Sequence, residues 1–402
     1  MSKWLTIIGM GEDGVEGLST LARQRLAVAE VIVGSERLLA RLPAHQAEVH
    51  EWPQPFSAVV ERIKPLTGRR TAILATGDPM NFGAARKLLT FIPFAEVEII
   101  PHLSAFSLAA ARMGWSLPDC DGLTLHGRAA ANIEAFIQPG ARLLVLTEDE
   151  TTIAEVARRL TARGFGKSAM TVLENMGGDR ERNSAFTADA VPAMDFSPLN
   201  TLAVHCIAGP AATILPRLAG LPDDAYEHDG QLTKAHVRAA TLAALSPAPE
   251  QLLWDVGAGC GSIAIEWMRA ARGCEAIAFE RDPKRLRMIA TNADRLGTPR
   301  LKLIASEAPS SFAGQPAPDA VFIGGGLGTP GVFEQSWAAL KPGGAMAVNV
   351  VSIEGELHLY DLHEKHGGDL ARIEVSTLHR IGPLRALKPR MAVTQWRVRK
   401  PW

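Results

Sequence analysis

Two kinds of hydrophobic pattern alternate along the chain. Short unbroken apolar runs, closed by glycine or an acid, predict buried strands at "WLTIIGM" (4–10), "VIVG" (31–34), "TAILATG" (71–77) and "EVEIIP" (96–101). Between them, apolar positions recur every three or four residues. This spacing predicts helices over "GLSTLARQRLAVAE" (17–30), with Ser19 as N-cap, and over "SAFSLAAARMG" (104–114), closed by glycine. A second series follows with "RLLVLT" (142–147), the helix "TTIAEVARRLTARGFG" (151–166), "AMTVLENMG" (169–177) and "NTLAVHCI" (200–207). The stretch "LPDDAYEHDG" (221–230) is polar, acidic and rich in turn formers, which predicts a linker. Beyond it a third series begins with a helix over 233–245 and continues through "LLWDV", "AIAFE", "LKLIAS", "DAVFIGGG" and "AMAVNVVS".

This alternation predicts an α/β protein with parallel sheets and crossover helices in both of two units. The expected limits are 1–215 for the first unit, in lobes of about 1–112 and 113–215, then a linker at 216–229 and a second unit over 230–402. A chain of 402 residues suits two or three domains.

Composition narrows the partners. The 42 basic and 43 acidic residues leave a formal charge of −1, which argues against a protein whose main task is coating nucleic acid. None of the four cysteines, Cys120, Cys206, Cys260 and Cys274, forms a C-x-x-C pair or a Cys/His cluster, so neither a metal site nor a disulfide framework is expected. That usage fits a reduced, cytoplasmic setting. "MSKWLTIIGMGEDG" lacks the apolar core of a signal peptide, and no apolar run reaches the roughly 18 residues of a membrane span.

Candidate chemistry sits in two glycine-rich loops. In "LLWDVGAGCGSIAIEW" (252–267) a strand-like run ends in Asp255, and Gly257, Gly259 and Gly261 precede a helix-like run that Ser262 is placed to cap. Glu280 ends the next strand-like run, where a carboxylate can accept two hydrogen bonds from a ribose diol. Dinucleotide sites favour G-x-G-x-x-G with pyrophosphate at the helix N-terminus. Here the spacing is G-x-G-x-G, and Asp255 ahead of it would repel a phosphate but suit a cation such as S-adenosylmethionine. The other loop, "IIGMGEDG" (7–14), has dinucleotide spacing, but Glu12 and Asp13 would face the pyrophosphate. An NAD(P) oxidoreductase, an RNA methyltransferase carrying a binding module, and a first unit that binds without catalysing remain competing readings. "DAVFIGGGLG" (319–328) lacks the Pro-Pro-aromatic segment of amine methylation, and its glycines suggest close passage of a large flat substrate or a tight turn.

The second loop, with "LKPGG" (340–344) and the closing "RMAVTQWRVR" (390–399) as an antiparallel edge, resembles the Rossmann-like class I methyltransferases. "GQLTKAHVRA" (230–239), "SEAP" (306–309) and "PDAVFIGGG" (318–326) sharpen this to the decarboxylating precorrin methyltransferases of cobalamin synthesis. The resemblance implies S-adenosylmethionine contacts from Thr233, Asp255, Gly257, Ala258, Gly259, Cys260, Gly261, Glu280, Glu307 and Ala308. The family often has Asp where this chain has Glu307.

"IIGMGEDG", "ATGDPMNFGAARKL" (75–88), "PHLSAFSLAAARMGWSLPDC" (101–120) and "VLENMGGDRER" (172–182) resemble the two-lobed tetrapyrrole methylases (class III). By that resemblance Gly77, Asp78, Ser104, Glu174 and Met176 line a second S-adenosylmethionine cleft, giving one site per domain. The family's usual opening proline is absent, and its Ser-Ser pair is Ser104-Ala105. Asp78 also reads as a turn residue, and His102 and His126 as solvated or core histidines. The fused resemblance implies methylation of a precorrin-6 macrocycle at carbon 5 by the first unit. It assigns methylation of carbon 15, with loss of the ring C acetate carboxyl, to the second. An oligomer of identical chains is expected, without nucleic acid or membrane partners. The segment from Ser376 to Trp402 holds Arg380, Arg385, Lys388, Arg390, Arg397, Arg399 and Lys400 and no acid. It reads either as a solvated basic edge or as a set of which some grip substrate carboxylates, Arg380 and Arg385 first because they precede the edge strand.

Overall fold

The computed structural model describes residues 3–53 and 58–402. The chain divides into two compact units: Met1–Ala130 with Pro139–Thr213, and Ala131–Gln138 with Ile214–Trp402.

The first unit holds two five-stranded sheets. Strands β1 (Leu5–Met10), β2 (Val31–Gly34), β3 (Glu48–Glu51), β4 (Thr71–Thr76) and β5 (Val97–Ile100) lie in the order β3-β2-β4-β1-β5, all parallel. Alternate residues of the apolar runs point to opposite faces. Leu5, Ile7, Val31, Val33 and Ile73 fill one core, and Ile8, Met10, Ile32 and Leu74 fill the other. Burial on both faces explains why these strands read as continuous apolar runs. Ser19 caps the helix Thr20–Ala27 as expected, accepting the Ala22 N–H at 3.2 Å.

The second sheet departs from expectation. Strands β6 (Asp121–Thr124), β7 (Arg142–Leu146), β8 (Ala169–Glu174), β9 (Arg182–Thr187) and β10 (Asn200–His205) are ordered β6-β7-β10-β8-β9. Only β6 and β7 pair in parallel, and the other three pairings are antiparallel. The β8–β9 pairing is antiparallel because their short connection, which turns through Asn175 at φ 47° and Gly177 at φ 85°, has no room for a crossover helix.

In the second unit, β11 (Leu252–Val256), β12 (Glu275–Glu280), β13 (Lys302–Ala305), β14 (Ala320–Ile323) and β15 (Ala345–Val350) form a parallel core. With β16 (Asp369–Ile373), β17 (Ser376–Ile381), β18 (Leu384–Pro389) and β19 (Val393–Arg399), the seven-stranded order is β13-β12-β11-β14-β15-β19-β16, and β17 pairs with β18 as a separate hairpin. The closing strand β19 is antiparallel, but it is flanked by β15 and β16 and is not the edge. Trp254, Trp267 and Trp396 are buried on the two sides of this sheet.

Residues 216–229 do not form a free linker. Leu221, Ala225 and Tyr226 belong to the core of the second unit. The buried Glu266 carboxylate accepts the N–H groups of Gly220 (2.6 Å) and Leu221 (3.1 Å), the Tyr226 hydroxyl (2.9 Å) and Arg238 Nε (2.8 Å). Arg238, with no exposed surface, also donates to Asp223 and to the carbonyls of Leu221 and Thr233. The polar composition that reads as a linker is what satisfies this buried pair.

Candidate functional site

The parallel sheet of the second unit opens at the carboxyl ends of its strands into a cavity of about 1060 Å³. One wall is the loop after β11. Gly257, at φ 71°, carries its backbone so close to Gly325 that an added Cβ would lie 3.0 Å from three of that residue's backbone atoms. The run Gly324–Gly326 therefore allows two loops to touch, and it lines the cavity beside Gly257, Ala258, Gly259 and Cys260. Glu280, at the end of β12, also lines it. Its carboxylate accepts the Gly259 N–H at 2.9 Å through one oxygen and those of Arg281 (2.9 Å) and Asp282 (3.0 Å) through the other. Three of its roughly four acceptor positions are thus taken, and about one is left for a ligand.

Thr233, Glu307 and Ala308 line the same cavity. Asp255 and Gly261 do not. Asp255 is 1% exposed and lies beneath the loop, where Oδ2 accepts the Ala264 N–H at 3.1 Å and Oδ1 has no partner. Burial pushes its carboxyl up to about 7, against the pull of the Ala264 bond, and the Glu280 charge adds to the rise. Asp255 therefore anchors the loop to the following helix. Gly261 is that helix's N-cap, the place expected of Ser262, and packs on Ile289. Burial likewise lifts the Cys260 thiol to about 11, so it stays protonated near neutral pH.

Arg380 and Arg385 stand opposite each other in the β17–β18 hairpin and do not line the cavity. Thr377, His379, Lys388 and Arg390 do. Asn349 lines the floor, tied to a buried network in which its Nδ2 donates to Thr241 Oγ1 (2.8 Å) and Gln395 Nε2 donates to Asn349 Oδ1 (2.9 Å).

In the first unit three backbone segments converge where β1 and β4 end. A Cβ on Gly9 would lie 2.1 Å from the Gly77 carbonyl oxygen and 2.7 Å from the His102 nitrogen. Gly77 donates its N–H to Met10, and Ser104 follows on the third segment. Ser104 caps the helix Ala105–Met113 by accepting the Ser107 N–H at 3.0 Å. Asp78 makes a local turn, accepting the Met80 N–H at 2.9 Å. Glu174 is committed elsewhere, to Arg182 through two 2.8 Å bonds and to the Ser197 N–H at 2.7 Å. Although burial works against its charge, these bonds hold its carboxyl below the ordinary range. Met176 packs with Phe106 and Ala109, and Gly178 approaches Glu12. The Gly77 and Ser104 segments thus approach each other closely, Met176 packs on the helix that Ser104 caps, and the Glu174 side chain is engaged in structure.

The family of tetrapyrrole (corrin/porphyrin) methylases matches residues 4–191, and the precorrin methyltransferase domain family matches residues 224–400. A precorrin-6Y C(5,15)-methyltransferase [decarboxylating] from Sinorhizobium sp. is 43% identical over 397 residues, covering 98% of this chain and 96% of that protein. The chain belongs to the precorrin-6Y C(5,15)-methyltransferase (decarboxylating) family. Another relative of the same name, from Mycobacterium tuberculosis, is 38% identical and covers 98% of this chain and 100% of its own. The solved C-terminal domain of precorrin-6Y C5,15-methyltransferase from Rhodobacter capsulatus is 39% identical, covers 46% of this chain and all of that domain, and superposes with a TM-score of 0.44.

S-adenosylmethionine is the cofactor of this family. The second unit fits it: the glycine cradle admits close backbone approach, and Glu280 retains an acceptor position. Sequence reasoning missed Asn349, Thr377 and His379, and it counted Lys388 and Arg390 within the basic segment but favoured Arg380 and Arg385. Asn349 was visible as the polar residue inside "AMAVNVVS". The others follow from alternation about the "IGPL" turn once the hairpin is recognised.

Proposed function

We propose that this chain methylates a precorrin-6 macrocycle at carbons 5 and 15 and removes the carboxyl of its ring C acetate. The product is precorrin-8, and the pathway is cobalamin synthesis. In this reading the first unit acts at carbon 5, and the second acts at carbon 15 and decarboxylates. The observation that carries it is the cavity beside the glycine loop. Its 1060 Å³ stands at the upper end of the roughly 300–1,000 Å³ of small-molecule sites, and its lining runs from the glycine loop to the β17–β18 hairpin, which leaves room for part of a large second ligand beside a cofactor.

S-adenosylmethionine supplies an activated methyl group when bound. The chain's contribution is to align the partners and exclude water. Glu280 and the backbone of Gly257–Cys260 hold the cofactor in the second unit, with Thr233 and Ala308 also lining the cavity. In the first unit, Gly77, Asp78, Ser104 and the backbone at Glu174–Met176 hold a second molecule. Meso carbons of a reduced tetrapyrrole are enamine-like nucleophiles, so no strong base is required for attack. For decarboxylation the protonatable imine system of the macrocycle takes the electron pair. The four free cysteines support a reduced, cytoplasmic setting. No helix among the described residues is long and apolar enough to cross a membrane. Self-association is part of this reading, supported by the exposed Ile353, Leu357 and Tyr360 on one helix.

The test is mass spectrometry of precorrin-6 incubated with the full chain and methyl-labelled S-adenosylmethionine. Two labelled methyls and the loss of one carbon dioxide are expected. A product with no added methyl overturns the reading. Calorimetric titration with S-adenosylmethionine is expected to show two sites per chain, and one site would remove the claim of a site in each unit.

A further inference from the structure

The cavity of the second unit is lined by five Lys and Arg side chains, and three of them already face acids. Arg281 pairs with Glu307 at 2.7 Å, Arg285 with Asp229 at 2.9 Å, and Lys234 lies 3.9 Å from Asp223. The side chains of Lys388 and Arg390 make no hydrogen bond or ion pair among the described residues. Both come from the β17–β18 hairpin and the residue that follows it.

The register of that hairpin sorts its residues into two faces. Thr377 stands opposite Lys388 and His379 opposite Ala386. Thr377, His379 and Lys388 all line the cavity. The intervening pairs, Leu378 with Leu387 and Arg380 with Arg385, belong to the other face. The Arg390 N–H donates to the Val375 carbonyl at 2.9 Å, which carries the pairing one step further, and Val375 lines the cavity too. Thr377 adds a hydroxyl whose oxygen is buried without a partner.

We propose that Lys388 and Arg390, with the Thr377 hydroxyl beside them, are the carboxylate-recognition subsite for the tetrapyrrole in the second unit. This rests on the reading of function given above. A polyanionic macrocycle entering this cavity meets two cations that pair with no acid among the described residues. The other three would have to give up an acid first. Arg390 offers a fork for two carboxylate oxygens, and Lys388 a point charge. The basic character of the closing segment is therefore split by the hairpin, with its inner face toward substrate and Arg380 and Arg385 on the outer face.

The experiment uses the full-length chain with Lys388→Gln, Arg390→Gln and the double variant. Steady-state decarboxylation of precorrin-6 gives kcat and KM. Titration with uroporphyrin III, a stable polycarboxylated tetrapyrrole, gives binding without turnover. Each single variant is expected to raise KM for the tetrapyrrole and weaken uroporphyrin binding by roughly tenfold, the value of one charge-assisted contact. The affinity for S-adenosylmethionine and the melting temperature stay unchanged, and Lys388→Arg restores binding. Unchanged KM and uroporphyrin affinity in the double variant overturn the proposal. So does a raised KM in Arg380→Gln and Arg385→Gln with none at Lys388 or Arg390. If the wild-type chain transfers no methyl to precorrin-6, the reading of function fails. The uroporphyrin titration still decides the subsite, because it compares binding alone.

Discussion

Replacing Asp255 by Asn should make the chain more stable, and only above mildly acidic pH. The carboxyl is 1% exposed, one of its oxygens has no partner, and burial moves its pKa from 3.8 to about 7. A group whose folded pKa is raised keeps a proton that the unfolded chain releases. Between about pH 4 and pH 7 the unfolded state binds fewer protons than the native state, so stability falls as pH rises. Below pH 4 the cost is absent, and above pH 7 it is complete. A rise of about three pKa units corresponds to about 4 kcal/mol, which is a ceiling because local relaxation reduces it. Asn keeps an acceptor for the Ala264 N–H, bound at 3.1 Å, and has no proton to lose. Urea unfolding from pH 4 to pH 8, followed by the fluorescence of buried tryptophans such as Trp254 and Trp267, reads the difference. The two proteins should have equal midpoints at pH 4, and the Asn variant should gain up to about 4 kcal/mol at pH 8. Parallel pH curves would show that Asp255 does not titrate in this range and would refute the reasoning.

Three further outcomes follow from the same geometry. Gly257→Ala forces a side chain to φ 71° against the Gly325 backbone, and of the two S-adenosylmethionine sites proposed, calorimetry should lose the one in the second unit and keep the other. Arg238→Met strands the buried Glu266 charge at a cost of about 3–5 kcal/mol. That should lower the melting transition of the second unit by roughly 10 °C, and Glu266→Leu in the same chain should recover part of it. Glu280→Gln removes one acceptor of the three N–H bonds around Gly259, so hydrogen exchange at that amide should quicken while cofactor affinity in the second unit falls about tenfold.

The glycine loop was legible because backbone geometry restricts the residues that can occupy it, and Glu280 because strand ends in an α/β sheet converge on one edge. What stayed hidden depended on partners distant in sequence. Asp255 reads as facing a cation, yet an acid two positions before the first glycine can point under the loop as readily as out of it. The choice between Arg385 and Lys388 turns on strand register, since a slip of one residue exchanges the two faces. The antiparallel β8–β9 pairing was set by the length of their connection, and the direction of β10 by its placement between β7 and β8, neither of which apolar periodicity encodes. The segment 216–229 has the composition of a linker, and only the buried Arg238–Glu266 pair reveals why.

The segment Ala131–Gln138 completes the second unit although it lies between β6 and β7 of the first. Ile133 and Ile137 are fully buried, and the Gln138 side chain donates to the Leu215 carbonyl at 2.7 Å. No single cut in the gene therefore yields both units whole. A fragment starting near Ile214 would lose the contacts this segment makes with it, Phe136 beneath Arg217, Ala135 beside Gly297 and Gln138 on Leu215. Added back as a short peptide, the missing segment would act as a ligand that folds as it binds. During synthesis it waits on the ribosome for a partner not yet made, so the second unit matures only when almost the whole chain has emerged.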